Sequence, residues 1–446
     1  MFYYVTKDGQ MGVCSEVKGE SEFIHTSPGC GGLIQAFPPA HYMVCDVIKG
    51  GKVSPTSPIK FHSFNQTPVH YPYQGCCYVT GDNNDVIKKN IRTLMTNAVE
   101  KRLMSYRRVG SLLSGGLDSS LVAAITAQKL RERGVEQPIQ TFSIGVESSP
   151  DVIAARKVGV GNTPGYCCNM RHMGVHYDNE QLYLQVAEHI KSEHHEVTFS
   201  PQEGIRALEE TIFALESYDV TTVRASIPMY FNHHSTQPSM YLISRYISEN
   251  TDTIVIMSGE GADELAQGYI YFHKQPSPQE GDIESKRLLT DLYLFDVLRT
   301  DRSTAAHGLE VRAPFLDHAF VSYFLSLPAS KRMPQNGVEK HLLRSSFDGT
   351  NLIPTEILWR RKEAFSDGVT SKKRSWFEIL QEHIDSRISD EQLDKARENY
   401  PFHTPRTKEA LFYRRTFESK FGSKLSKLIP YQWLPRWTGS DDPSAR

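Results

Sequence analysis

LLSGGLDSSL, residues 112–121, carries two apolar residues into Ser-Gly-Gly, then an acid, two hydroxyls and a return to apolar residues. The flanks decide what kind of turn this is. RRVGSLL (107–113) reads as a short strand, and DSSLVAAITAQKLRERG (118–134) as a helix closed by Gly134. Further strands follow in IQTFSIGV (139–146), EVTFS (196–200) and TIVIMSG (253–259). Helical stretches lie between them, such as SPDVIAARKV (149–158), with Ser149 at its cap, and EGIRALEETIFALES (203–217). Strands alternating with helices predict an α/β fold with an open parallel sheet covered on both faces. From about residue 280 the pattern reads as helical to the end.

A strand–turn–helix of this kind sits where open α/β sheets bind ligands. Glycines let the backbone approach an anion, and the helix start offers unpaired N–H groups. Ser114, Ser119 and Ser120 add hydroxyl donors, so a phosphate chain fits. A Walker loop needs a lysine near the terminal phosphates, and here Asp118 takes the central place. An acid beside phosphates makes sense if it holds a magnesium ion shared with a departing pyrophosphate. The motif S-G-G-x-D-S resembles the PP-loop of the ATP pyrophosphatases (adenine nucleotide alpha-hydrolase-like enzymes), which adenylate their substrates.

The rest of the chain narrows the setting. Of 446 residues, 39% are hydrophobic and 23% charged, with a net charge of −2, so no basic field points to nucleic acid. No apolar run approaches the roughly 18 residues that span a bilayer, so no membrane partner is expected. Seven cysteines, at 14, 30, 45, 76, 77, 167 and 168, show no zinc-ligand or C-x-x-C spacing, which predicts reduced thiols in the cytoplasm. Residues 1–70 read as β-rich, with hairpins at Asp8-Gly9 and Gly50-Gly51. The helical period begins at NNDVIKKNIRTLMTNAVEKRLM (83–104).

Four further segments carry chemistry. IVIMSGEGADELAQGY (254–269) again ends a strand in a glycine-bearing turn and takes Glu260, Asp263 and Glu264 into a helix. Such acids hold metal or handle protons, or simply favour a helix N-terminus. SYDVTTVRASIPMY (217–230) places Arg224 among small and apolar residues, suited to a carboxylate or to a surface ion pair. RTDRSTAAHGLEVRAPFLDH (299–318) is dense in charge around a buried-looking APFL. WRRKEAFSDGVTSKKRSW (359–376) sets Lys362 between arginines and a glycine turn, where it could neutralise a transferred phosphate.

Together with EKHLLR (339–344), these segments resemble asparagine synthetase of the glutamine-hydrolysing, animal type, from roughly Gly12 to the C-terminus. The resemblance implies that ATP and aspartate form β-aspartyl-AMP with loss of pyrophosphate, and that ammonia then displaces AMP. By matching position, Leu112, Ile144, Ser258 and Gly259 are expected to contact ATP. Ser114, Gly115, Gly116, Asp118 and Ser119 are expected to hold pyrophosphate, with Asp118 and Asp263 on the magnesium. Glu260 matches the residue tied to the adenylate, Thr222 and Arg224 the aspartate side, and Lys362 the lysine facing the phosphates. A homodimer is compatible with the family.

The sequence departs from the family pattern in four places. It begins Met1-Phe2 where the family has Met-Cys, and residues 1–70 match only the end of a glutaminase (class II amidotransferase) domain and a linker. Ammonia rather than glutamine is therefore the expected nitrogen donor. Ala262 stands where the family has serine. Residues 159–186 and 230–240, within a synthetase domain expected over 80–446, read as insertions, as surface loops or as translated sequence that spliced messages lack. Two alternatives stay open. One is an inactive fragment that binds nucleotide or a full-length partner, and the other a β-lactam synthetase-like adenylating enzyme.

Overall fold

Strand β8 (Arg108–Leu112) begins the sheet that organises the molecule. In the computed structural model, residues 1–19, 34–48, 50–62, 83–146, 179–226, 240–360 and 376–439 are described. β8 lies between β9 (Gln140–Val146) and β11 (Thr253–Met257), with β10 (Glu193–Phe199) and β12 (Glu310–Arg312) at the edges. Every pairing among these five strands is parallel. The order β10-β9-β8-β11-β12 reverses direction at β8 and β11, so the crevice for a ligand opens beyond their C-terminal ends.

Alternation along the strands explains why both faces are covered. Val109, Val255 and Met257 join one apolar cluster, with helix α1 (Asn84–Lys101) and helix α2 (Leu117–Glu132). Leu112, Phe142, Ile144 and Ile256 join another on the opposite face, with Met240, Ile243 and Ile247 of the helix Met240–Asn250. Helix α2 is buried along most of its length, from Leu117 through Ala127 apart from the site-facing Asp118. Its sequence therefore lacks a polar face, as suits a helix at the centre of a layered fold.

The glycine-marked hairpins form as read: β1 (Phe2–Val5) pairs antiparallel with β2 (Met11–Cys14), and β5 (Cys45–Ile48) with β6 (Lys52–Pro55), while β3 (Gln35–Ala36) adds to β1 and β4 (His41–Tyr42) pairs with β7 (Ile59–Lys60). Gly9, Gly50 and Gly51 adopt the positive φ these turns require. Glu216 ties the N-terminal region to the rest. Its carboxylate accepts the Val17 and Lys18 backbone N–H groups at 2.8 and 2.7 Å, and Arg302 Nη1 at 2.8 Å.

Three features differ from the sequence reading. The C-terminal part is not wholly helical, because β12 adds a fifth parallel strand beside β11. The helix expected to run through SEH (192–194) stops at Ile190, where Lys191 turns left-handed (φ 54°), and Glu193 already belongs to β10. The helix Asn179–Ile190 also takes in the last residues of the first expected insertion, and Met240 of the second is a buried helical residue. The remainder of both stretches, the helix expected at 149–158 and Lys362 lie outside the described residues. Among the described residues no helix is long and apolar enough to cross a membrane.

One sheet residue makes stability depend on pH. His194 of β10 bonds Thr141 Oγ1 at 2.9 Å and Ser143 Oγ at 3.0 Å, and burial pushes its pKa down to about 4, with His195 adding repulsion. Neutral His194 stabilises the fold fully above the unfolded value near 6.5, and this contribution is lost as pH falls toward 4. We expect the unfolding free energy to drop by about 1–3 kcal/mol across that window through this group. Denaturant titrations should show a shallower drop in His194→Gln; an identical pH profile would remove His194 as the cause.

Candidate active site

The turn after β8 is closed on itself by its two serines. Ser119 Oγ lies 2.9 Å from Ser114 Oγ and accepts the Ser114 backbone N–H at 3.1 Å. Gly115 takes a left-handed conformation (φ 71°), and Gly116 caps α2 without a side-chain bond. The end of β11 approaches the same turn. A methyl group added at Gly259 would sit 2.9 Å from the Ser119 nitrogen and 3.0 Å from the Asp118 carbonyl carbon. Only glycine lets Ser258-Gly259 pass this close. Gly259→Ala should therefore destabilise the protein by about 1–3 kcal/mol and slow turnover by roughly 10- to 100-fold. Wild-type melting and turnover in this variant would show that the two turns have room to separate.

Asp118 and Asp263 converge on one ammonium. Lys340 Nζ pairs with Asp118 Oδ2 and lies 2.6 Å from Asp263 Oδ1, and the lysine is buried. Burial alone lowers a lysine pKa, but the two carboxylates outweigh it and raise that of Lys340. Its backbone is left-handed (φ 56°), and the ion pair of Glu339 with Arg344, at 2.6 Å, sits beside it on the same turn. A non-glycine residue in that region is held by its surroundings rather than by its own preference. Gly268 closes the other side, since a Cβ there would lie 1.9 Å from Lys340 Cε.

The other two acids of the GEGADEL turn have separate surroundings. Glu260 receives Arg299 Nη2 at 3.1 and 3.2 Å, and the same nitrogen donates to Asp296 at 2.8 Å. Burial, joined by repulsion from Asp296 and Asp263, pushes the Glu260 pKa up against the pull of Arg299. Glu264 is buried, accepts the Tyr269 hydroxyl, and is raised well above the usual carboxylate range, first by burial. One acid is thus bound to a lysine, one to an arginine, and one to a tyrosine hydroxyl.

Arg224 lies in the short helix Val220–Ser226, and its Nε and Nη2 donate to Glu409 at 2.7 and 2.5 Å. Thr222 is buried, and its hydroxyl donates to Asp219 at 2.9 Å. Arg299 Nη1 reaches the Ala225 carbonyl at 3.5 Å, which connects this helix to Glu260. Leu112 and Ile144 are buried near the C-terminal ends of their strands, and Ser258 donates its backbone N–H to Arg312. Among the described residues no group of three or more His, Cys, Asp or Glu side chains gathers as a metal cluster.

The asparagine synthase family model matches residues 90–284 and 280–437. The glutamine-hydrolyzing asparagine synthetase of Gallus gallus is 51% identical over all of this chain and 72% of its own length. Those of Bos taurus and Homo sapiens are each 50% identical, with the same coverage. The chain belongs to the asparagine synthase family. It is accordingly a ligase. An NAD+ synthetase from Burkholderia pseudomallei, at 12% identity, 61% of this chain, 97% of its own and a TM-score of 0.22, adds nothing to that assignment.

Within this asparagine synthase family member, sequence reasoning missed Lys340, Arg299, Asp296 and Glu409. Lys340 lies inside EKHLLR and Arg299 opens the charged segment at 299–318, so both were visible as residues. Their contacts with Asp118 and Glu260 were not, because those acids lie 222 and 39 positions away.

Proposed function

We propose that this chain joins ammonia to aspartate at the expense of ATP, giving asparagine, AMP and pyrophosphate. The observation that carries the reading is the junction of the SGGLDSS turn, Asp263 and Lys340 at the switch point of the sheet. In the first step a β-carboxylate oxygen of aspartate attacks the α-phosphorus of ATP, and the bond to pyrophosphate breaks. In the second, ammonia attacks the β-aspartyl carbonyl of the adenylate, and AMP leaves with the bonding electron pair.

Each residue has a part in this scheme. Ser114, Gly115, Gly116 and Ser119 receive the departing pyrophosphate, with Leu112, Ile144, Ser258 and Gly259 beside the nucleotide. Lys340 neutralises charge that grows on the leaving group. Lys362 is assigned the same duty by its place in the sequence. Arg224, fixed by Glu409, supplies positive charge on the aspartate side, with Thr222 supporting its helix. Glu260 takes the proton released as ammonia attacks, because a carboxylate with a raised pKa is the better base near neutral pH.

Asp118 and Asp263 fit a magnesium ion by their chemistry. Two hard carboxylates already share one cation, and magnesium takes one or two such ligands and completes its shell with water and phosphate oxygens. When bound, it would supply Lewis-acid stabilisation of the leaving pyrophosphate. The synthetase domain is assigned to residues 80–446, after a β-rich segment over 1–70 assigned to the end of a glutaminase-like domain. Free thiols at Cys14 and Cys45 suit a cytoplasmic setting.

Aspartate-dependent exchange of labelled pyrophosphate into ATP, without ammonia, tests the first step alone. Asp118→Asn should reduce this exchange about 100-fold while nucleotide binding changes less than about threefold. Equal loss of exchange and binding would make Asp118 a structural residue.

A further inference from the structure

A cavity of about 490 Å³ lies behind helix α2, lined by Arg92 and Thr96 of α1 and by Gln128 and Arg131 of α2. Asp118 and Arg131 stand at opposite ends of that helix, roughly 20 Å apart at 1.5 Å per residue. The cavity is therefore separate from the crevice described above. Its volume falls within the range of small-molecule sites.

Its two arginines set it apart. Each uses one guanidinium nitrogen on a helix C-terminal carbonyl: Arg92 on Ser346, and Arg131 on Ile190 at 2.9 Å. A guanidinium has five N–H donors, so most of each fork remains for another acceptor. Among the described residues neither arginine has a carboxylate within ion-pair distance. Arg224, Arg299, Arg302 and Arg344, in contrast, each face one. The neighbouring acid, Glu132, is engaged by Lys129 and by Gln128, both at 2.8 Å. Helix capping accounts for one bond per arginine. It does not account for two half-buried or exposed guanidinium groups lining the same cavity, each with donors left over. Ile125 and Phe347 give the same cavity an apolar wall.

We propose that this cavity binds a small organic anion, its phosphate or carboxylate group held between Arg92 and Arg131 and its body against Ile125 and Phe347. The forked guanidinium matches either group in bidentate geometry. The site stands independently of the ligase reading and uses none of its residues.

The test uses the full chain with inorganic phosphate as probe and acetate in a parallel arm, at ionic strength held constant with sodium chloride. Phenylglyoxal labelling read by peptide mass spectrometry should slow at least fivefold at Arg92 and Arg131 in one or both arms. Labelling of Arg397, an exposed arginine elsewhere, should not change. Which arm protects identifies the group recognised. Protection of Arg131 should disappear in Arg92→Gln and survive in Arg92→Lys. Labelling of both arginines unaffected by either anion overturns the proposal in the wild-type protein alone, and so does protection of Arg131 that persists in a folded Arg92→Gln.

Discussion

Lys340→Met is expected to lower pyrophosphate release by 100- to 1000-fold, roughly the loss caused by removing one preorganised electrostatic group. The methionine keeps most of the buried stem and removes only the ammonium. Asp118 and Asp263, which share that ammonium, then face each other without it. Removing one member of a buried ionic cluster costs about 3 kcal/mol of stability. Protonating one carboxylate relieves the repulsion, so the deficit should narrow as pH falls toward about 4. Lys340→Arg should not restore activity, because Gly268 leaves no width for a guanidinium around Cε. Calorimetric melts across pH, with turnover at neutral pH, check both parts. A variant that melts and turns over like the wild type would remove Lys340 from the site.

Glu260→Gln is expected to slow asparagine formation by 100- to 10,000-fold, the range for loss of a general base. The ATP KM should stay within about threefold, because the Lys340 cluster is untouched. The fold should survive, since Arg299 keeps Asp296 at 2.8 Å. The pH profile separates a proton-transfer role from a structural one. In the wild type the raised pKa of Glu260 means that activity rises with pH as the carboxylate loses its proton. At a fixed concentration of free ammonia, that limb should disappear in the glutamine variant. Its persistence would assign the titration to another group and leave Glu260 as a holder of Arg299.

What the sequence made legible was local. LLSGGLDSSL and IVIMSGEGADEL each contain a strand, a glycine turn and a helix start within a dozen residues, and both elements form where the pattern puts them. The hairpins at Asp8-Gly9 and Gly50-Gly51 are equally local. What escaped was set by pairing across distance. β12 has only three residues, two of them charged, and is a strand because β11 offers it an edge. Lys340 reaches Asp118 across 222 positions, and Arg224 reaches Glu409 across 185. No periodicity or turn rule announces such contacts. Arg224 shows the limit most clearly: its sequence setting points to a carboxylate, and the carboxylate found beside it is the protein's own.

The central claim is that these residues adenylate aspartate and pass it to ammonia. It is tested most directly by incubating the chain with ATP, magnesium, aspartate and ammonia and following all products together. Asparagine, AMP and pyrophosphate should appear in equal amounts, and omission of aspartate should abolish all three. Release of ADP and phosphate, or of pyrophosphate without any need for aspartate, would contradict it.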